Sequence, residues 1–155
     1  MLARRNFTIE EVEANLKAGM PFVLRILADG DPEKKIKFTD LVKGNMEVTE
    51  NDEDFVLLKS DGIPTYHFAH AVDDHLMGTT HVIRGEEWLP SLPKHIQLFR
   101  YLGFKLPKYM HIAQIMHLDD HGNKKKLSKR DMGANMDEYT KMGYCPEAVC
   151  EYVMT

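Results

Sequence analysis

Cysteine is scarce in this sequence: 155 residues hold two, Cys145 and Cys150, too few for a disulfide framework. No uncharged apolar run approaches the ~20 residues needed to cross a bilayer, so a membrane span is excluded. The N-terminus, MLARRNFTIEEV, lacks the apolar h-region of a secretory signal. No internal repeat or low-complexity tract is visible, which sets aside a solenoid or a linker protein. There is no Walker-type glycine-rich loop, no GxGxxG and no nucleophile elbow. An excess of positive charge is missing too. With 20 Lys+Arg against 24 Asp+Glu the formal charge is −4, which argues against a surface coated in basic residues but leaves a local basic patch open. These absences point to a soluble protein of a reducing, cytoplasmic setting.

What is present suffices for a core. The chain is 43% hydrophobic and 28% charged, ordinary for a folded chain of one domain or two small lobes. Thr8 and Glu11 have capping-box spacing, and Ile9, Val12 and Leu16 recur at helical intervals up to Gly19. PFVLRIL (21–27) reads as a buried strand, followed by a turn at Asp29-Gly30-Asp31-Pro32. KIKFTDLVKGNMEV (35–48) has short strand-like runs broken by Gly44. FVLLKSDGIPTYHFA (55–69) reads as two strands joined through Ser60-Asp61-Gly62, with Gly62 supplying a positive φ. HVIRG (81–85) reads as a strand, HIQLFRYLG (95–103) as a helix closed by glycine, and HIAQIMHL (111–118) as a strand. Residues 119–131 read as a loop, with a helical tail after it. Alternating strand and helix between 54 and 120 argues for an α/β layer with some parallel sheet, the first fifty residues looking more α+β.

Two stretches could carry chemistry. Lys124 to Arg130 (KKKLSKR) places five positive charges in seven residues beside Gly122 and Asn123. Such a run can close over a polyphosphate and neutralise charge growing in a transition state; it can equally be a solvated basic loop. Residues 66–88, YHFAHAVDDHLMGTTHVIRGEEW, gather four His, two Asp, one Arg, two Glu, a Tyr and the only Trp. A metal site among His67, His70, His75 and His81 is disfavoured, because positions i and i+3 of a strand face opposite ways and no cysteine is near. Cys145 and Cys150, five apart on an expected helix, read as core. Arg84 ends an apolar strand, where the C-terminal ends of α/β strands border a ligand crevice. Its guanidinium suits bidentate capture of a carboxylate; the alternative is an ion pair with Glu86, Glu87 or Asp73. Trp88 suits either a purine or the core.

Taken together, SDG-PTY, VDDHLMG, HVIRGEEW and KLSKR at these intervals closely resemble the bacterial-type glutamyl-tRNA synthetases, class I aminoacyl-tRNA synthetases. The resemblance runs from about Arg4 to the C-terminus and is most specific between Asp54 and Arg130. It implies an α/β fold, the second half of a Rossmann-like nucleotide domain split by an inserted domain. Residues 1–53 would be the end of the inserted acceptor-binding domain. Residues 54–130 would be the second half of the catalytic domain with the KLSKR loop, and 131–155 the start of a helical stem-contact region. By the same resemblance Lys126 and Lys129 would be catalytic, holding ATP phosphates within Lys126, Leu127, Ser128, Lys129 and Arg130, with Lys129 stabilising departing pyrophosphate. Glu87 and Trp88 would border ATP. Tyr66, Arg84 and His70 would line the glutamate pocket, Arg84 pairing the side-chain carboxylate and His70 standing where relatives vary. ATP is then a substrate accompanied by Mg2+, and no zinc site falls in this stretch. The partners would be glutamate, tRNA(Glu) and the remainder of the synthetase chain, with no membrane.

The family's His-Ile-Gly-His-type motif, its N-terminal pocket arginine, its Cys-rich zinc knob and its anticodon-binding helices have no counterpart here. The expectation is therefore a piece of a glutamate–tRNA ligase that is inactive alone. Two other readings stand beside it: a glutamyl transferase acting on a modified tRNA base, and a non-catalytic synthetase-derived module that binds tRNA or a partner.

Overall fold

The computed structural model describes residues 7–119, 121–128, 130, 131 and 133–154. Helix α1 (Ile9–Lys17) starts at the expected capping box: the Thr8 hydroxyl accepts from Glu11 N and the Glu11 carboxylate accepts from Thr8 N at 2.8 Å. These two bonds satisfy N–H groups that a first helical turn leaves orphaned. Residues 21–27 are not the expected buried strand. Only β1 (Leu24–Arg25) pairs, antiparallel to β4 (Val56–Leu58), and of this apolar run only Ile26 is buried while Phe22, Leu24 and Leu27 lie exposed. A two-residue strand can follow only as much of its partner as that partner offers.

The strand-like runs of 35–48 fold as a regular hairpin, β2 (Lys35–Asp40) with β3 (Gly44–Thr49), registered from Lys35↔Thr49 to Asp40↔Gly44. The expected turn at Gly62 forms with φ +80°, but the segment beyond it is no full strand. A single bridge, Leu58↔Pro64, gives way to helix α2 (Tyr66–Leu76). Thr65 spends its hydroxyl on Val56 O (2.8 Å), tying the start of α2 to β4. On a helix, positions 67, 70, 71 and 74 share one face. The opposite-faces argument against pairing His67 with His70 therefore does not hold.

Strand β5 (His81–Gly85) and helix α3 (Leu92–Tyr101) form as expected, joined by a short 3-10 helix, Glu86–Ser91. Strand β6 (Lys108–Ile112) returns parallel to β5, with Arg84 opposite His111. This is the parallel element the alternation calls for, with α3 as the crossover. The expected 111–118 strand is divided: β6 ends at Ile112 and β7 (Met116–Leu118) pairs antiparallel with β8 (Lys124–Lys126). The three lysines thus lie on a strand edge within the stretch read as loop. The tail is helical, α4 (Met136–Lys141) and α5 (Pro146–Met154). Cys145 and Cys150, expected in the core, are both exposed, because neither α4 nor α5 buries a residue.

The core joins the residue after β1 to β4, α2 and α3: Ile26, Ala71, Leu98 and Phe99 pack with Phe55, Leu57, Phe68, Phe104 and Leu106. Each large side chain buried this way contributes about 2 kcal/mol. Polar bonds fasten the hairpin side to this core. Gln97 on α3 donates to Asn51 O (3.0 Å) and Asp29 (3.1 Å) and accepts from Asn51 Nδ2 (2.8 Å). Leu41 N donates to Tyr109 O of β6 (2.9 Å). Among the described residues no helix is long and apolar enough to cross a membrane.

Candidate functional site

The β5–β6 pair determines where the site's charge stands. In a parallel pair, residues in register project on the same face, so Arg84 and His111 meet there. Arg84 Nε donates to His111 Nε2 at 2.9 Å, and Arg84 Nη1 lies 3.1 Å from His95 Nδ1 on α3. A guanidinium only donates, so both ring nitrogens accept. The plane of the guanidinium sits 4.8 Å above the centre of the Tyr109 ring, a favourable placement for a cation. None of Glu86, Glu87 and Asp73 pairs with it. Glu86 binds Lys43 (2.5 Å) and Glu87 binds Lys126 (2.6 Å). Among the described residues Arg84 has no ion-pair partner, and its buried Nη2 has no hydrogen-bond partner.

Acids stand one imidazole further out. His111 Nδ1 lies 2.7 Å from Asp40 Oδ2, both side chains fully buried. Burial raises the Asp40 carboxyl, but hydrogen bonds from Lys43 N, the His111 ring, Val42 N and His111 N outweigh it and hold it at about 2. His70 Nδ1 lies 2.8 Å from Asp74 Oδ2, and His70 Nε2 lies 2.9 Å from the Tyr109 hydroxyl. His95 Nε2 reaches His67 Nδ1 at 2.9 Å. Burial first, and then the charges of His70, Arg84, His67 and His111, push His95 down to about 2, so it is neutral at physiological pH. Burial lowers His67 and His70 in the same direction.

The mouth of this network is aromatic. Tyr66, half exposed, lies with its ring centre 4.5 Å from Trp88 and stacks on His70 at 6.0 Å. Trp88 is neither core nor free; it is half-buried against Tyr66 on the 3-10 helix. Tyr66 thus stacks on His70, and His70 and Arg84 both meet Tyr109.

Of the KLSKR stretch, Lys126 is tied to this region through Glu87. Lys126 Nζ reaches its carboxylate across 39 positions of sequence. Bonds from Lys126 and Gln114 hold that carboxyl at about 2, well below the ordinary glutamate range. Leu127 N donates to Ile115 O, Ser128 N to the Asp131 carboxylate, and Asp131 N to Ser128 O. Asp131 therefore closes the loop, and Arg130 is exposed. Lys129, expected to be catalytic, lies outside the described residues.

Sequence reading misses Asp40, His95, His111 and Tyr109. The only signal for them is that each falls on a buried position: the end of β2, the inner face of α3, and alternate positions 109 and 111 of β6. His75 and His81, the other two histidines of the 66–88 stretch, stand apart; His75 stacks on Phe104 at 3.7 Å and His81 contacts Thr80.

A family profile described as tRNA synthetases class I (E and Q), catalytic domain, matches residues 2–155. The chain belongs to this family. The glutamate–tRNA ligase of Clostridium beijerinckii is 51% identical over 151 residues, covering 97% of this chain and 27% of that ligase. The one from Acetivibrio thermocellus is 51% identical over 152 residues, covering 97% and 28%. The chain thus spans a little over a quarter of the length of these class I relatives. Among solved structures, the glutamate tRNA ligase of Elizabethkingia meningosepticum in complex with its amino acid aligns with a TM-score of 0.72 at 36% identity, over 95% of this chain and 32% of that one. Glutamate-tRNA synthetase from Elizabethkingia anophelis aligns with a TM-score of 0.70. The mixed α/β architecture is accordingly that of a class I synthetase catalytic domain, and the resemblance to glutamyl-tRNA synthetases seen in the motifs holds along nearly the whole chain.

Proposed function

We propose that this chain supplies the glutamate-selecting side and the phosphate loop of a glutamate–tRNA ligase. The enzyme would join glutamate to ATP with release of pyrophosphate, then pass the glutamyl group to the 3′ end of tRNA(Glu). The observation that carries this reading is Arg84, a guanidinium that has, among the described residues, no carboxylate of its own and a buried, unpartnered Nη2. A fixed cation beside an aromatic mouth favours a side-chain carboxylate over an amide, since an amide would leave the charge uncompensated. In this reading Tyr66 and His70 shape the pocket around Arg84.

Glutamate and ATP are both anionic, so placed cations orient them and stabilise the charge that moves to the leaving pyrophosphate. Lys126 and Lys129 would take that role, with Leu127, Ser128 and Arg130 forming the rest of the loop and Glu87 and Trp88 along the nucleotide. Mg2+ would enter with the ATP phosphates. Lys126 Nζ is 2.6 Å from Glu87, so it would exchange that carboxylate for a phosphate oxygen. Residues 1–53 fit the end of an inserted acceptor-binding domain, 54–130 the second half of the nucleotide domain, and 131–155 the start of a helical stem-contact region.

The test is selectivity. In a complete synthetase carrying this chain, Arg84→Cys should erode the preference for glutamate over glutamine in ATP–pyrophosphate exchange by about tenfold or more. An unchanged preference would move recognition to another residue.

A further inference from the structure

Arg84 is surrounded by acceptors that carry no charge, an unusual way to seat an arginine in a protein with four more acidic than basic residues. Its two contacted donors go to imidazoles, while two carboxylates, Asp40 and Asp74, are held by His111 and His70. A carboxylate in direct contact would neutralise the guanidinium and compete with any anionic ligand.

We propose that His95 and His111, the latter oriented by Asp40, are positioning residues that fix the Arg84 guanidinium while leaving its charge uncommitted for a substrate carboxylate. The inference deepens, and rests on, the reading of Arg84 as the residue that selects glutamate.

The hydrogen-bond logic assigns every ring proton in the cradle. His111 Nε2 accepts from Arg84 Nε, so the His111 proton resides on Nδ1 and is donated to Asp40 Oδ2. Asp40 is itself anchored by the N–H groups of Val42, Lys43 and His111. That anchoring makes it a fixed acceptor, and the acceptor decides the tautomer of the ring. His95 Nδ1 accepts from Arg84 Nη1, so its proton resides on Nε2 and is donated to His67 Nδ1. Two of the three guanidinium nitrogens are thus pinned from two elements, β6 and α3. The third, Nη2, keeps both donors for a ligand. With Tyr109 beneath the plane, rotation of the guanidinium breaks at least one of these contacts.

Two measurements decide it. In the unmodified 15N-labelled chain at pH 7, multiple-bond 1H–15N spectra should show neutral rings, with the proton on Nδ1 of His111 and on Nε2 of His95. An imidazolium at either ring, or the opposite tautomer, overturns the proposal. In a complete synthetase carrying this chain, His95→Leu should raise the glutamate KM by about 10-fold to 100-fold, the range for losing a hydrogen bond to a charged group. The ATP KM should not move. His95→Asn, which keeps an acceptor near the position of Nδ1, should recover most of the loss, and Asp40→Asn should weaken glutamate in the same selective way. A merely structural role would move both substrates together and would not be rescued. If Arg84→Leu weakens glutamate but His95→Leu and Asp40→Asn do not, the positioning inference fails and the selection reading stands. If Arg84→Leu leaves glutamate unaffected, both fall.

Discussion

Acidification from pH 7 to pH 5 should destabilise the fold through one buried imidazole. His95 is 0% exposed, and burial with the neighbouring positive charges holds it near 2, against 6.5 for a free histidine. Through this window the folded chain takes up no proton at His95, whereas the unfolded chain does so below 6.5. Stability from the neutral ring is therefore complete above 6.5 and is lost as the pH falls. One group contributes about 1.4 kcal/mol per pH unit, so at pH 5 the loss is about 2 kcal/mol from His95 alone. His67 and His70, lowered by the same burial, add to it with the same sign. Asp40 does not enter here: its carboxyl, held at about 2 against 3.8, contributes stability that begins to fall only below 3.8, and over that lower range it accounts for about 2 kcal/mol.

Urea unfolding at pH 7, 6 and 5 measures the effect, and His95→Asn isolates it. The variant is expected to be less stable at pH 7 because a ring is lost from a packed site. Its free energy of unfolding should nevertheless fall by about 2 kcal/mol less than that of the unmodified chain between pH 7 and pH 5. Two curves that fall in parallel would show that His95 takes a proton freely in the folded state, and the buried neutral ring would then be excluded.

Three other contacts can be tested singly. Gly30→Ala would set a methyl group 2.2 Å from the Asn51 carbonyl oxygen and 2.6 Å from its carbon; backbone cannot step aside cheaply, so thermal unfolding should report a loss of about 1–3 kcal/mol, and an unchanged midpoint would deny the close approach. Lys126→Ala should let the Glu87 carboxyl rise from about 2 toward 4.5, read from its 13C titration, and an unmoved midpoint would count against the pair. Lys129→Ala in a complete synthetase should lower the rate of adenylate formation by about 100-fold or more while leaving glutamate binding in place; equal damage to both would remove the role assigned to it.

The parts of this fold legible in the sequence are those decided within a few residues. Thr8 and Glu11 find each other three positions apart, and the helix of Leu92–Tyr101 carries its own apolar face and its glycine stop. Where the outcome depends on a distant partner, local reading fails in a definite direction. PFVLRIL is apolar enough for a buried strand, yet the neighbour available to it is the three-residue β4, so only Leu24 and Arg25 pair. The segment after Pro64 has the aromatic residues of a strand, but it closes on the core through Phe68 and Ala71, a spacing only a helix can present.

The site shows the same division. The end of its strand is where sequence alone puts Arg84, and the acids nearest in the chain are the partners it suggests. The groups that seat the guanidinium come instead from positions 40, 95, 109 and 111: the parallel register of β5 and β6 places 109 and 111, the crossover helix α3 brings 95, and β2 brings 40. Acids adjacent in sequence are held off by lysines of other elements, Lys43 on Glu86 and Lys126 on Glu87. Such pairs contribute little to stability at a surface, but here each gives a cation other than Arg84 to an acid close to it in sequence. What surrounds Arg84 is therefore decided by which acids the rest of the fold occupies and which imidazoles it brings in their place.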